Sequence, residues 1–235
     1  MPMSATILLS LIVLATITTA VLTISATRRR RKAIDAFAAS EGLVHEKKVD
    51  RSFRDAWAIL PELSARGAAS HLVYGRDELT DYTIFEHTTM TMAGQTPVPI
   101  THTIFAAEAP ADLPELHVLR KSLFRSIISK DELPRRVTIP TSSFPKGWVV
   151  HSTDGAFATR VLNEAVCPLI GRTRHDRAWR VFGGKAIIVM RRQMDAKTLR
   201  DGLDRLRAFA RNVIDGTPID HEEAGAPAMG VQTNE

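Results

Sequence analysis

Hydrophobic positions along the chain form one long unbroken run followed by shorter periodic segments. Residues 5–26 read ATILLSLIVLATITTAVLTISA, which is 22 residues without a charge, a proline or a glycine. As a helix this run would measure roughly 33 Å at about 1.5 Å per residue, enough to cross a hydrocarbon core. The pattern predicts a transmembrane anchor over residues 1–27.

A cleaved signal peptide is the alternative interpretation of the same run. Such a peptide has a basic segment before a shorter apolar core, and small residues at its cleavage site. Here no Lys or Arg precedes the run, and Ile24 lies where a small residue would be expected. We therefore favour an uncleaved signal-anchor.

The pattern after the anchor changes to short β-type segments. Gly42 suits the end of a basic juxtamembrane helix over residues 28–42, and a weaker helical segment covers residues 50–60 before Pro61. Segments rich in Thr and in β-branched and aromatic residues then predict strands. These strands cover residues 70–76, 79–89, 99–109, 115–121, 135–140 and 147–152, with a long loop at 90–98.

The last third of the chain carries stronger signals. A helix is predicted after the turn at residues 152–155, and Pro168 should kink or end it. Gly183 and Gly184 predict a two-residue hairpin turn within residues 177–192, because glycine supplies the positive φ of such turns. Residues at helical spacing predict a final helix that begins at Asp195 and ends at Gly216. They are Leu199, Leu203, Leu206, Phe209, Ala210, Val213 and Ile214.

Strands joined by tight hairpins and followed by helices predict an α+β fold. We expect one domain over residues 43–216 with a mostly antiparallel sheet covered by helices. Residues 217–235 are polar and small without periodicity, and they predict a disordered tail.

The net charge at first suggests a nucleic-acid-binding protein, but its distribution along the chain does not. The chain has a formal charge of +5 and a pI of about 9.6. Residues 28–32 supply five of the 31 Lys and Arg, so the other 26 balance the 26 Asp and Glu. A nucleic-acid binder usually spreads positive charge over a face of its folded domain. We therefore predict no nucleic-acid partner. We also predict no cofactor, since the sequence contains no cofactor-binding motif.

The basic block predicts the topology of the anchor. Positively charged flanks stay on the cytoplasmic side, which puts the N-terminus outside and the domain in the cytoplasm. The same cations are predicted to contact anionic lipid headgroups, at about 1 kcal/mol each. The predicted contact residues are Arg28, Arg29, Arg30, Arg31 and Lys32.

Candidate catalytic chemistry is sparse. No phosphate-binding, nucleophile-elbow or zinc-protease motif occurs in the sequence. His71, His87 and His102 fall in predicted strands. If Phe85 pairs with His102, then His87 lies diagonally across from His102 on the same face. A shift of the register by one residue would instead place the two histidines on opposite faces. A metal site would also need a third ligand, which the pattern does not supply.

Two further segments have a simple structural interpretation. The stretch HSTDG places His151, Ser152 and Asp154 together, and a helix cap explains it better than a catalytic triad. Cys167 lies in an apolar run, which is typical of a buried and inert thiol.

A basic region from Arg172 to Arg192 carries seven cations against Asp176 alone. A solvated surface is the simpler interpretation of such a run. A basic patch beside the anchor that faces anionic lipid is the alternative. The seven cations are Arg172, Arg174, Arg177, Arg180, Lys185, Arg191 and Arg192.

Three segments carry a family resemblance: THTIFAAEAPADLPEL (residues 101–116), WVVHSTDGAFATRVLN (148–163) and WRVFGGKAIIVMRR (179–192). With them, roughly residues 40 to 216 resemble a family of uncharacterised bacterial single-pass membrane proteins. The resemblance implies an N-terminal transmembrane helix, a basic flank and a small α+β domain, and no particular reaction.

These features favour an interaction or accessory role at the inner face of the membrane, with a protein partner that the sequence does not identify. One alternative is a membrane-tethered hydrolase whose site uses the strand histidines and loop acids. Another is a domain that binds a small apolar ligand.

Overall fold

The computed structural model describes residues 3–57, 60, 67–121 and 133–215. The predicted disordered tail and Gly216 lie outside these residues, as does Pro61. The described chain has α+β architecture, as the sequence predicts. A long apolar helix precedes a sheet in which nine described strands pair antiparallel.

The first helix, α1, is longer than either helix predicted for this region. It runs without interruption over Met3–Ser40, so the predicted anchor and juxtamembrane helix are one element. Gly42 adopts φ +69°, and the Leu43 N–H donates to the Ala38 carbonyl at 2.8 Å. This left-handed residue ends the helix as predicted, because only glycine adopts that backbone conformation without a penalty.

The domain is built on one sheet, whose first strand in the chain lies at one edge. Its spatial order is β1-β2-β3-β4-β9-β8-β5-β7-β6. The strands are β1 (Val44–Lys48), β2 (Ala68–Arg76), β3 (Asp81–Ala93), β4 (Thr96–Glu108), β5 (Leu116–Arg120), β6 (Arg136–Val137), β7 (Trp148–Ser152), β8 (Asp176–Phe182) and β9 (Lys185–Met190). The other helices are α2 (Arg51–Ala56), α3 (Gly155–Val161) and α4 (Ala196–Asp215).

The predicted long loop at residues 90–98 is wrong. Both strands continue through it until Ala93 pairs with Thr96, which leaves a tight turn at Gly94 and Gln95. Gly94 has φ +65°, the conformation that a two-residue hairpin turn requires. Met and Pro weakened the strand pattern in the sequence, although neither prevents pairing in a two-stranded ribbon.

Helices cover one face of the sheet. The second half of α1 buries Ile34, Phe37 and Ala38 there, beside the buried faces of α3 and α4. The hairpin at Gly183 and Gly184 is confirmed, with φ of +57° and +70°. One face of this hairpin belongs to the same hydrophobic cluster as the helices. Its residues there are Trp179, Val181, Ala186, Ile188 and Met190.

The opposite face packs against a smaller cluster that includes Phe53, Trp57 and Leu60. Phe53 meets the ring of Phe85 edge to face, with centroids 5.1 Å apart. Sheet residues of this cluster include Ile104 and Ile187. Both faces of the sheet centre are therefore apolar, although the helices lie mainly on one side.

The two helices of the last third begin as predicted. Asp154 caps α3, and the Asp195 carboxylate accepts from the Thr198 N–H at 2.7 Å at the start of α4. However, α3 ends at Val161, well before Pro168, and residues 167–169 form a separate 3₁₀ turn. Asn163 explains the break, because its side chain accepts from the Ala165 N–H at 3.0 Å and begins a new turn.

Candidate functional site

A buried carboxylate joins α1 to the domain. Glu86 lies on β3 with 4% of its side chain exposed, and it forms an ion pair with Arg30 of α1. Glu86 also accepts from the Met194 N–H, while Arg30 Nε donates to the Met194 carbonyl at 2.6 Å. The three residues form a closed ring of hydrogen bonds that ties α1, β3 and the segment before α4 together.

A second polar connection lies one and a half turns further along α1. Asp35 Oδ1 is 2.6 Å from His45 Nδ1, and His45 Nε2 is 3.1 Å from His71 Nδ1. Burial, with a contribution from the nearby Arg30, lowers the pKa of His71 to about 4. The hydrogen bond to His45 lowers the pKa of Asp35. Each contact is a hydrogen bond if His71 Nδ1–H donates to His45 Nε2 and His45 Nδ1–H donates to the Asp35 carboxylate.

His71 has an unusual backbone conformation for this chain of contacts. Its φ is +52°, the one positive value at a non-glycine residue in the described part of the chain. The pairing of β2 with β3 shifts between Ser70 and Val73, so His71 lies in a β-bulge. The bulge aims its ring at His45, as bulges commonly redirect a side chain.

A third connection fixes the C-terminal end of α1. Arg207 of α4 contacts Glu41 at 2.9 Å and Asp77, in the β2–β3 turn, at 3.1 Å. Arg30 meets β3 at Glu86, whereas Glu41 lies near the turn before β3. The chains of α1 and β3 therefore run in opposite directions, and the apolar half of α1 leaves the domain on the side towards which β3 ends.

The end of the sheet from which α1 leaves is rich in cations. Strand β5 ends there at Arg120, β8 begins at Asp176, and β9 ends at Met190, as the strand pairings require. Among the described residues, eight cations lie at these strand ends or in the adjoining loops, and we call them the cationic end. They are Arg120, Lys121, Lys146, Arg172, Arg174, Arg177, Arg191 and Arg192.

The acids near the cationic end do little to neutralise it. Asp176 is fully buried and pairs with Arg205 of α4 at 2.6 Å. Asp195 contacts Arg192 at 3.2 Å and also caps α4. Burial, together with the neighbouring cations Arg191 and Arg120, lowers the pKa of Arg177. This part of the surface therefore has an excess of positive charge.

Six carboxylates of the described residues lie at the opposite ends of the strands, which we call the acidic end, together with the cations Arg76, Arg135, Arg136 and Lys185. Exposed or half-buried carboxylates follow β2, begin β3 and lie between β4 and β5. They are Asp77, Glu78, Asp81, Glu108, Asp112 and Glu115. The chain as a whole is formally neutral outside the basic block. In the described domain, cations gather at one end of the strands and these carboxylates lie at the other.

The five predicted headgroup contacts do not share one environment. Arg28, Arg29 and Lys32 are exposed. Arg30 faces the domain and is engaged by Glu86, and Arg31 is half-buried. Headgroup contact itself stays a prediction for these residues.

The basic region from Arg172 to Arg192 divides between two environments in the structure. Lys185 pairs with Glu108 at the acidic end, and Arg180 is buried 3.2 Å from His117 Nδ1. Burial, with Arg180 beside it, lowers the pKa of His117 to about 3. The other five cations lie at the cationic end.

His87 and His102 face each other directly across β3 and β4. The predicted diagonal arrangement is wrong, because Phe85 pairs with Ile104 rather than with His102. Burial, with His87 nearby, lowers the pKa of His102 to about 4. Among the described residues, no group of three or more His, Cys, Asp or Glu is arranged to hold a metal ion.

The HSTDG segment is a structural turn. Asp154 accepts from the N–H groups of Ala156 and Phe157, and the Ser152 hydroxyl donates to the Glu115 carbonyl at 2.6 Å. Cys167 is buried, and burial raises the pKa of its thiol to about 11. Both interpretations made from the sequence agree with this geometry.

Sequence reasoning missed the connection between α1 and the domain. Glu86 interrupts the apolar segment YTIFEHTT and shares a face with Tyr82 and Ile84. A carboxylate on a core-facing position needs a cationic partner, and this signal was available. The sequence could not identify Arg30 as that partner, because five adjacent cations were equally possible.

The fold and the site define a class of protein in which one candidate membrane helix near the N-terminus continues into an α+β domain. Within the described residues, this helix is long and apolar enough to cross a membrane, and the apolar segment is not buried by the domain. A similar fold occurs in the crystal structure of the mycobacterial trehalose monomycolate transport factor A, TtfA. The TM-score is 0.56 at 14% identity, over 80% of this chain and 97% of that chain. No family model and no curated protein sequence matches the chain.

Proposed function

We propose that the protein is a membrane-anchored accessory factor whose domain acts at the cytoplasmic surface of the bilayer. The observation that carries this proposal is the hydrogen-bonded connection of α1 to the domain through Arg30, Glu86 and Met194. A flexible tether would leave the domain free to rotate. This connection instead holds the cationic end beside the point where the apolar helix emerges.

Charge supports the cytoplasmic side. The basic block follows the apolar run directly, and such flanks are retained in the cytoplasm. Arg28, Arg29 and Lys32 are free to meet anionic headgroups, while Arg30 has a role inside the fold. The cationic end adds further charge on the same side of the domain, within reach of the inner leaflet.

An accessory role in membrane transport is the specific form of this proposal. The mycobacterial protein with a similar fold is a transport factor for trehalose monomycolate, and almost all of that chain aligns with this one. We infer that the present chain assists a membrane transport process through a protein partner.

A topology reporter tests the orientation. A phosphatase that is active only outside the cytoplasm is fused after residue 235, and a cytoplasmic fluorescent protein is fused at the same position in a matched strain. We expect fluorescence without phosphatase activity. Strong phosphatase activity would overturn the cytoplasmic placement.

A complementation experiment tests the accessory role. Cells that lack the chain receive the wild type or a form in which Arg28, Arg29 and Lys32 are changed to Gln, and their envelope lipids are compared. We expect the deletion to alter the lipid profile and the wild type to restore it. An unchanged profile in the deletion strain would contradict a role in envelope lipid transport.

One observation favours an enzyme as a second candidate. His87 and His102 face each other across two strands, and the lowered pKa of His102 keeps that ring neutral near pH 7. A hydrolase screen of the full chain in detergent, with His87→Ala and His102→Ala variants, tests this candidate. An activity that survives both substitutions would exclude these two residues as its site.

A further inference from the structure

The hairpin of β3 and β4 continues well beyond the sheet. Pairing of β3 with β2 ends at Thr88, and pairing of β4 with β9 ends at Thr103. Residues 89–100 therefore form a two-stranded ribbon that has no neighbouring strand on either side among the described residues, and we call them the arm. The arm extends roughly 20 Å past Thr88, at about 3.4 Å per residue.

The arm has the composition of a surface that meets lipid. Residues 88–101 contain no charged side chain, and residues 90–99 are all exposed. Outside α1, five large apolar side chains are exposed among the described residues, and Met90, Met92 and Val98 of the arm are three of them. A soluble domain rarely concentrates exposed apolar residues in one projecting element, unless that element has an interaction partner.

The direction of the arm identifies the partner. The contacts of Arg30 with Glu86 and of Glu41 near Asp77 show that β3 runs towards the side from which the apolar half of α1 leaves. The tip of the arm at Gly94 and the predicted transmembrane segment therefore leave the domain in the same direction. The cationic end lies behind the arm on that side, as headgroup-contacting residues would.

The edges of the arm are adapted to partial loss of water. Pro97 pairs with Met92, and Pro99 pairs with Met90. Proline has no backbone N–H, so it cannot occupy a hydrogen-bonded pair of an antiparallel ribbon. Both prolines must then occupy the alternate sites, where an N–H would point outwards from the ribbon. Their presence removes two outward donors that would otherwise have to be dehydrated.

We propose that the arm inserts into the headgroup layer of the same membrane that α1 spans and acts as a second point of attachment. This inference rests on the membrane anchoring in the proposed function. The arm lies in the interfacial layer rather than the hydrocarbon centre, because a two-stranded ribbon keeps unpaired edge groups that need water or headgroups. With α1 as one attachment and the arm as another, the domain has a fixed orientation on the bilayer.

A site-specific fluorophore tests the proposal in the full chain. An environment-sensitive dye is attached to a Met92→Cys variant, which is reconstituted into vesicles of phosphatidylcholine and phosphatidylglycerol. Cys167 is buried with a raised thiol pKa, so it gives little background labelling. An Asp112→Cys variant carries the same dye at the acidic end and is the matched control.

We expect a blue-shifted emission from the dye on Met92→Cys and loss of that emission when the lipids carry nitroxide groups near their headgroups. The Asp112→Cys control should show neither change. If the chain floats with the vesicles while the dye on Met92→Cys behaves like the control, the arm does not bind lipid and serves a protein contact instead. If the chain does not float with the vesicles at all, the anchor fails, and the proposed function fails with it.

Discussion

At the scale of single residues, Glu86 is the group on which the position of α1 depends most. Its carboxylate is almost wholly buried and accepts hydrogen bonds from Arg30 and Met194, which lie 164 positions apart in the chain. Buried carboxylates need such partners because an unpaired charge in the interior is costly. Removal of the charge leaves the Arg30 guanidinium without its counter-ion.

We predict that Glu86→Gln lowers the free energy of unfolding by about 2 kcal/mol, the usual worth of a hydrogen bond to a charged group. Glu108→Gln is the matched control, because Glu108 pairs with Lys185 in a half-exposed position, and such pairs contribute at most about 1 kcal/mol. Chemical denaturation of both variants in detergent, followed by tryptophan fluorescence, measures the difference. Equal effects of the two substitutions would argue against a structural role for Glu86.

Two partly buried histidines, His71 and His102, make stability depend on pH in one direction. The pKa of His71 falls from 6.5 to about 4 on folding, chiefly through burial, and that of His102 also falls to about 4. Between pH 6.5 and 4 the unfolded chain binds protons that the folded chain does not. Stability is therefore complete above pH 6.5 and is lost as the pH falls towards 4.

We predict that His71→Asn reduces this loss, since it removes one of the protonated groups of the unfolded state. Asparagine tolerates the positive φ at this position better than most residues. The melting temperature is measured at pH 8 and at pH 5 for the wild type and for the variant. The fall in melting temperature between the two pH values is then compared for the two proteins. Identical differences would show that His71 does not contribute to the pH dependence.

At the scale of elements, α4 contains a glycine that helix propensity alone would replace. Gly202 lies on the buried face of α4, and a Cβ there would approach Cζ of Phe105 to 2.2 Å. Other atoms of that ring would be 2.4 and 2.7 Å away. The close approach of the helix to β4 therefore depends on the missing side chain.

We predict that Gly202→Ala destabilises the fold by about 1–3 kcal/mol through overpacking, although alanine favours helices by about 1 kcal/mol. Gly155 begins α3, and a Cβ there would meet only Val137 at an ordinary 3.8 Å. Gly155→Ala should therefore be neutral or mildly stabilising. Thermal denaturation of both variants would contradict the packing interpretation if Gly202→Ala were the more stable of the two.

Some elements of the fold could be predicted from the sequence and others could not. The final helix and the hairpin at Gly183 and Gly184 were predictable, because periodicity and turn chemistry are local properties. The length of the β3–β4 hairpin was not, because Gly94, Pro97 and Pro99 within ten residues are typical of a loop rather than of a paired strand. The early end of α3 depends on the side chain of Asn163, which competes locally with the helix.

At the scale of the whole molecule, the relation between α1 and the domain was hidden from the sequence. A basic block after an apolar run predicts a membrane boundary, and this prediction needs no tertiary information. The assignment of Arg30 to Glu86, and of His45 to Asp35, depends on contacts across long sequence separations. The separation of charge along the strands likewise becomes visible only when the strand order is known.

The molecule as a whole presents its cationic end on the side where α1 and the arm leave the domain. In the orientation that we propose, the acidic end faces away from the bilayer. Energy transfer to a headgroup-labelled lipid measures this orientation directly. Gln193 is exposed in the loop before α4 at the cationic end, and Glu78 is exposed in the β2–β3 turn at the other end.

Donor dyes are attached in turn to Gln193→Cys and Glu78→Cys variants of the full chain in vesicles that contain phosphatidylglycerol. Transfer reports the distance to the nearer leaflet, so either orientation of insertion gives the same answer. A domain held with its cationic end on the membrane predicts markedly higher transfer from Gln193→Cys than from Glu78→Cys. Equal transfer from the two positions, or higher transfer from Glu78→Cys, would contradict the fixed orientation of the domain.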